Sequence, residues 1–359
     1  MLTVFRVAIV GLEHYHVTGW VESFEQFPDR IEIVGLYDPD PGAGERLAPP
    51  YHDPVLSPAL SEQYRSVPFY TDLQQLIQQS RPDIALVTVP NIDAPGVIAT
   101  LAGAGVHLLI DKPGGRTAVE AMQALDAIRS ANIRAAVGLN RRYGRAWQEA
   151  RASIAAGRLG QLMTTEAIFT TSTVKVRNPR NPLFNPETMG GGILHWLGVH
   201  DLDLMLWLTR EPIVEVQAMA GTLGEAKIDV EDVLSMSVRY ASGAIGTGHH
   251  AFVIPKAGAN EGYFAVRGHK GSLRIESNGT VTLTSTGDTH DVIAKETRSY
   301  EMMKAPGYGP LAVAAIDDLM AAIEEEREPL APYSVAVEAL KVIDAAYESA
   351  RTGRRVRVS

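Results

Sequence analysis

The sequence predicts an α/β domain built on a doubly wound parallel sheet, followed by an α+β domain. Three observations carry this. The chain has 359 residues, more than the roughly 100 to 200 of an ordinary domain, so two domains are expected. Between Phe5 and Gly138 short apolar runs alternate with helical stripes, the pattern of strand, crossover helix and strand. Beyond Asn140, strand-like runs follow one another, and two helical patterns close the chain. The boundary is placed between residues 138 and 139, with the closing helices free to pack back on the first domain.

In chain order, the first domain's strands are expected at Val7–Val10, Glu32–Tyr37, Ile84–Val89, Val106–Ile110 and Ala135–Gly138. Between them Leu73, Leu76 and Ile77, then Val97, Ile98 and Leu101, then Ala121, Leu125 and Ile128 recur at three- and four-residue spacing, as one buried helix face requires. In the second domain Val233–Tyr240, Gly243–Val253 and Phe264–Ile275 read as strands of a mixed sheet, and Leu311–Glu326 and Ser334–Arg351 as helices. Thr171 to Glu187, with Lys175, Arg177, Arg180 and three prolines, reads as a long loop whose basic residues point to an anionic substrate or another subunit. His249-His250 falls in a strand-like stretch and is expected on the sheet surface, outside any site.

Composition narrows the function. Hydrophobic residues are 45% and charged residues 21%, as in ordinary globular proteins. With 33 Lys+Arg against 42 Asp+Glu the formal charge is -9, the wrong sign for neutralising phosphates, so neither nucleic acid nor an anionic membrane is an expected partner. There is no cysteine, which excludes disulfides, thiolate metal sites and thiol nucleophiles, and makes a cytoplasmic setting the expectation. The first apolar run, Val7 to Leu12, is far shorter than the about 20 residues of a spanning helix, and no cleavage signal follows it.

In a doubly wound sheet, ligands bind beyond the carboxyl ends of the strands. After the first strand the loop reads Gly11-Leu12-Glu13-His14-Tyr15-His16. It keeps the first glycine of a dinucleotide fingerprint and places Glu13 and His16 where the second and third glycines stand, which predicts a displaced or weaker-bound cofactor. Asp38 ends the second strand, where a carboxylate accepts hydrogen bonds from an adenosine ribose and repels a ribose phosphate, favouring NAD over NADP. Asp38-Pro39-Asp40-Pro41-Gly42 is equally a turn sequence, and the two readings are compatible.

Two more strand ends, Val89-Pro90-Asn91 and Asp111-Lys112-Pro113, together with Gly190 to Asp203 (GGGILHWLGVHDLD), Asn140-Arg141-Arg142, the Gly157–Gly160 turn and the basic C-terminus, run through nearly the whole chain. In this ordered set the sequence resembles the glucose–fructose oxidoreductase, inositol dehydrogenase and rhizopine-catabolism oxidoreductase family. The resemblance implies a Rossmann domain binding a nicotinamide cofactor, with Gly11, Glu13, His14, Tyr15, His16, Asp38, Pro90, Asn91, Asp111 and Lys112 on the cofactor side. It also implies an α+β domain whose large, open, mostly antiparallel sheet forms a dimer or tetramer interface and holds a sugar, polyol or related substrate.

Lys112 matches the lysine of the family's Glu-Lys-Pro motif, with Asp111 for the glutamate, and would hydrogen-bond the reacting oxygen. His200 matches the general acid/base, an imidazole that titrates near neutrality. Four residues earlier the family carries aspartate, and here stands Trp196. Trp196, His200 and Asp203 recur at i, i+4 and i+7, so on an α-helix they share one face; Trp196 either stacks on substrate or packs the core, and Asp203 either assists His200 or is structural. Arg141 and Arg142 are candidates for a substrate carboxylate or phosphate, or for a salt bridge between domains. His14, His16, His195, His200 and Glu13 would make a metal site if they converged, but no zinc-binding motif is present and no metal is expected. The expected activity is NAD-dependent oxidation of a secondary alcohol, or reduction of the ketone. Set against it are a cofactor-binding protein with little dehydrogenase activity and a redox-neutral NAD-dependent glycosidase.

Overall fold

The structure, a computed structural model, describes residues 3–14, 16–47, 60, 62–177, 181–286, 293–300 and 308–359. The chain forms two compact units: Met1–Asn140 with Met303–Val337, and Arg141–Met302 with Glu338–Ser359.

The first unit holds strands β1 (Phe5–Val10), β2 (Ile31–Tyr37), β3 (Phe69–Tyr70), β4 (Ile84–Val87), β5 (His107–Ile110) and β6 (Ala135–Val137), paired in parallel in the order β3-β2-β1-β4-β5-β6. β4 and most of β1 are buried residue after residue, the signature of a sheet covered on both faces. Chain order reverses between β1 and β4, so the switch point lies at the end of β1. The helices are α1 (His16–Phe24), α2 (Pro41–Arg46), α3 (Leu73–Ser80), α4 (Ala94–Gly103) and α5 (Ala118–Ala131). Asp40, Asp72 and Thr117 cap α2, α3 and α5 by accepting from backbone N–H groups of the first turn, each cap contributing about 1 kcal/mol. A later helix, Pro310–Glu324, returns to this unit, and its Ile316, Leu319 and Met320 join the core of Val7, Ile9, Trp20 and Phe24. The free edge of β6 is covered as Val137 N–H donates to Ala331 and Tyr333 N–H to Ala135.

Among the described residues the second unit is built on a nine-stranded sheet. Its strands are β7 (Leu162–Ser172), β8 (Ile213–Gly221), β9 (Val233–Tyr240), β10 (Ile245–Ile254), β11 (Asn260–Gly268), β12 (Gly271–Glu276), β13 (Thr280–Thr286), β14 (Ile293–Ser299) and β15 (Val356–Arg357), in the order β14-β13-β12-β11-β7-β10-β9-β8-β15. All neighbours are antiparallel except β7 with β10. Along β9, Leu234, Met236, Val238 and Tyr240 are buried while Ser235 and Ser237 are exposed, so one sheet face is covered and the other open. Helices α6 (Arg145–Ala155), α7 (Pro186–Met189) and α8 (Val199–Thr209) follow the numbering of the first unit, with α9 the returning helix and α10 (Ser334–Thr352) the last. Among the described residues no helix is long and apolar enough to cross a membrane.

Two expectations need correction. Phe264–Ile275 is a hairpin rather than one strand: Gly268 pairs with Gly271 across His269-Lys270, and the shift of apolar residues from even positions (Phe264, Val266) to odd ones (Leu273, Ile275) marks the turn. Thr171 to Glu187 is not a plain loop, because Thr171 and Ser172 end β7 and short helical turns follow at Val174–Val176, Pro182–Phe184 and Pro186–Met189. Arg180 lies outside the described residues.

Candidate functional site

In the first unit the strand ends assemble one polar cluster. Gly11 turns the chain after β1 at φ +99°, and a Cβ there would lie 2.6 Å from Val89 N, so only glycine fits. Asp38, 2% exposed, fastens this loop from the end of β2: one oxygen accepts Leu12 N–H at 2.8 Å and the other Asp40 N–H at 2.9 Å. Burial pushes its carboxyl up against those two bonds. The turn reading of Asp38 is thus seen directly. Glu13 does not join the histidines; it is half-buried and pairs at 3.4 Å with Arg46, which Asp40 holds at 2.7 Å.

His14 and His16 turn instead to Asp111 at the end of β5. His16 Nδ1 lies 2.9 Å from one Asp111 oxygen and 3.1 Å from the other, while Trp20 Nε1–H donates to Asp111 Oδ1 at 3.0 Å. His14 Nδ1 is 4.0 Å from Asp111 Oδ2 and accepts the His16 backbone N–H at 3.1 Å. Tyr308 packs edge-on against both His16 and Trp20. Burial lowers both imidazoles, His14 to about 3, with His16 and Lys112 adding to the effect on His14. Burial opposes the Asp111 charge, but His16, His14 and Lys112 together hold its carboxyl well below the usual range. Lys112 and Asn91 are buried and Pro90 half-buried at neighbouring strand ends; Tyr15 lies outside the described residues.

In the second unit the Gly190 turn leads into a π-helical turn, Leu194–Gly198, and then α8. The wider turn alters the α-helical spacing assumed for Trp196, His200 and Asp203, so the shared face deduced from that spacing does not apply. Trp196 is a core residue: it packs with Phe184 and Phe252, and the Arg177 guanidinium lies over Trp196 and Phe252 at 5.5 and 5.2 Å. His195 is buried, and His200, the second residue of α8, is half-buried.

Arg142 Nε donates to both oxygens of Asp203, at 3.1 and 2.9 Å, in a buried pair; burial still raises the Asp203 carboxyl. Arg141 pairs with Asp201, whose other oxygen is 2.9 Å from His250 Nε2. Burial opposes the Asp201 charge, and Arg141 and His250 overcome it. His250 is 0% exposed, not a surface residue, because it faces inward on β10 while His249 faces out and contacts Ser235. Sequence reasoning missed Asp201, His250, Trp20 and Glu231, the last accepting from Gly192 N–H, Leu194 N–H and the Tyr347 hydroxyl. The sole available signal was that Asp201 follows His200 directly.

A tight glycine turn, a strand-end acid and a switch point between β1 and β4 define a dinucleotide-binding oxidoreductase fold. The chain belongs to the GFO/IDH/MocA family: residues 5–139 match the oxidoreductase family with NAD-binding Rossmann fold, and residues 147–274 the GFO/IDH/MocA C-terminal domain. It is 31% identical to 1,5-anhydro-D-fructose reductase of Ensifer adhaerens over 222 residues, 59% of this chain and 64% of that protein. It is 26% identical to inositol 2-dehydrogenase of Rhizobium meliloti over 282 residues, 77% of this chain and 81% of that protein. The match to the reductase thus spans less than two thirds of its length. In fold it is similar to a levoglucosan dehydrogenase in complex with NADH, at TM-score 0.84 and 19% identity, covering 99% of this chain and 100% of the other. It is also similar to the WlbA dehydrogenase from Bordetella pertussis in complex with NADH and UDP-GlcNAcA, at TM-score 0.81 and 20% identity, covering 99% and 98%.

Proposed function

We propose that the protein is an NAD-dependent dehydrogenase that oxidises a secondary alcohol of a sugar, polyol or sugar acid, or reduces the corresponding ketone. The observation that carries this reading is the polar cluster at the strand ends of an NAD-binding fold, with Gly11, Asp38, Asp111 and Lys112 at the ends of β1, β2 and β5. The names of the relatives, sugar and inositol oxidoreductases, support the substrate class.

Bound NAD supplies the acceptor or donor of hydride. Asp38 retains lone pairs beyond its two backbone bonds for the ribose hydroxyls, and its charge disfavours a ribose phosphate, against the pull of Arg46, which Asp40 and Glu13 hold in ion pairs. The loop of Gly11, Glu13, His14, Tyr15 and His16, with Pro90 and Asn91, completes the cofactor side. The Lys112 ammonium donates to the substrate oxygen and stabilises charge as the carbonyl forms or is reduced, while His200 takes or returns the hydroxyl proton. Arg141, its charge braced by Asp201, faces the substrate; Arg142, Asp203 and Trp196 hold that wall through buried packing. The open face of the second unit's sheet, where Met219 and Ile245 stay exposed, is assigned to self-association as a dimer or tetramer in the cytoplasm.

Titration calorimetry with NAD and NADP, followed by a screen of polyols, sugars and sugar acids for NADH formation, tests the assignment. Micromolar NAD binding, about -8 kcal/mol, is expected, with weaker binding in Asp38→Ala. Lys112→Met and His200→Asn should each lower kcat by about 100-fold or more. Failure of the folded chain to bind either nucleotide sinks the reading; binding without net NADH on any alcohol turns it to the cofactor-binding protein or the redox-neutral glycosidase, which product analysis of a glycoside separates.

A further inference from the structure

We propose that His14, His16 and Asp111 form a binding site for one divalent ion of the zinc class. Read from sequence alone, these histidines had partners only among distant histidines and Glu13. The fold supplies a different third donor, the carboxylate at the end of β5, and sends Glu13 to Arg46. Two imidazoles and one carboxylate are a donor set that zinc accepts, with water or a ligand oxygen completing four-coordination.

The geometry is close to what an ion needs. The donor atoms all lie within 4.8 Å of one another. Two ligands on a tetrahedral ion, each at about 2.0–2.2 Å, stand about 3.4 Å apart. Asp111 Oδ2 is 2.9 Å from His16 Nδ1 and 4.0 Å from His14 Nδ1, so the observed separations bracket that value. The support around the donors is also that of a metal centre. Trp20 Nε1–H donates to Asp111 Oδ1, leaving Oδ2, the oxygen nearest both imidazoles, as the ligand atom; outer hydrogen bonds of this kind orient ligating carboxylates. The three side chains sit on different supports, the turn after β1, the first residue of α1 and the end of β5, and the Asp111 and histidine side chains are only 10% exposed.

Three features oppose the ion. His16 Nδ1 is hydrogen-bonded to Asp111 and His14 Nδ1 accepts the His16 backbone N–H, bonds the ligands must give up, and the Lys112 charge acts on both imidazoles. None removes a donor.

The test uses the full chain stripped with a chelator and titrated with Co²⁺ and Zn²⁺ in the absence of nucleotide, so that its outcome is independent of NAD binding. One ion per chain is expected, with a visible cobalt spectrum of tetrahedral intensity. Asp111→Asn and His14→Gln should each weaken binding by about 100-fold or more, while His249→Asn, which removes an accessible histidine of the second unit, leaves it unchanged. The pair of variants guards against one failing to fold. The proposal is overturned if the folded chain takes up no stoichiometric ion, or if binding survives both substitutions.

Discussion

Asp203 is buried and the Asp111 side chain is only 10% exposed, each beside cationic partners, one in each unit, and they resolve the cost of burial in opposite ways. Asp203 is paired with the Arg142 guanidinium and feels Arg141 more weakly, and desolvation still wins, leaving its carboxyl raised. Asp111 gathers His16, His14, Lys112 and the Trp20 N–H, and its carboxyl is held low. A bidentate arginine pair is closed, since the fork uses both oxygens. A carboxylate facing imidazoles keeps company that can exchange a proton or take a metal. One arrangement holds a wall in place, and the other has the makings of a working site.

The largest expected effect comes from breaking the closed pair. Arg142→Leu leaves Asp203 as an uncompensated buried charge and should cost about 3–5 kcal/mol of stability, read by urea denaturation. Removing both charges, as Arg142→Met with Asp203→Leu, should recover most of the loss, because well-packed apolar residues often replace a buried pair without penalty. If the double variant is as unstable as the single one, Asp203 has a role beyond holding Arg142.

A smaller effect comes from pH in the metal-free protein. The His14 folded-state value is depressed to about 3 from an ordinary 6.5. Below pH 6.5 the unfolded chain therefore binds a proton that the folded chain refuses, and stability falls with pH. Between pH 6.5 and about 3, His14 alone contributes a slope of about 1.4 kcal/mol per pH unit, and His16 adds to it with the same sign. Asp203 and Glu231, both raised, act in the opposite sense within the second unit, where the folded state takes up the proton first. Peptide-resolved hydrogen exchange at pH 7, 6 and 5, corrected for intrinsic rates, should show the first unit loosening ahead of the second. His14→Gln should flatten that slope; an unchanged slope would place the titrating group elsewhere.

What the sequence made legible follows from the range of the forces involved. β1, β4 and β5 announce themselves as continuous apolar runs because both sheet faces are covered, and Gly11 and Asp38 sit at fixed offsets from those runs. The partners of these residues were illegible. Asp111 meets His16 across 95 positions and Arg142 meets Asp203 across 61, and no local pattern records such pairings. His250 was hidden by His249, since neighbours on a strand face opposite sides and register alone decides which is inside. The π-helical turn at Leu194–Gly198 undid a helical-spacing argument that was sound for an α-helix.

The smallest expected effect separates a surface ion pair from a substrate contact. Lys175 bonds Glu225 at 3.0 Å with both side chains more than 70% exposed, and such pairs contribute about 0–1 kcal/mol. If Lys175 only decorates the segment after β7, Lys175→Ala should move the melting temperature and the KM for a neutral polyol and for a sugar acid by amounts near experimental error. Arg177, fixed over Trp196 and Phe252 and donating to Thr171 and Ser172, is built into the wall and gives no such clean comparison. A rise in KM confined to the acid would instead assign the exposed ammonium to substrate charge. The basic character of this segment would then select among substrates, while the buried Arg142 keeps its structural role.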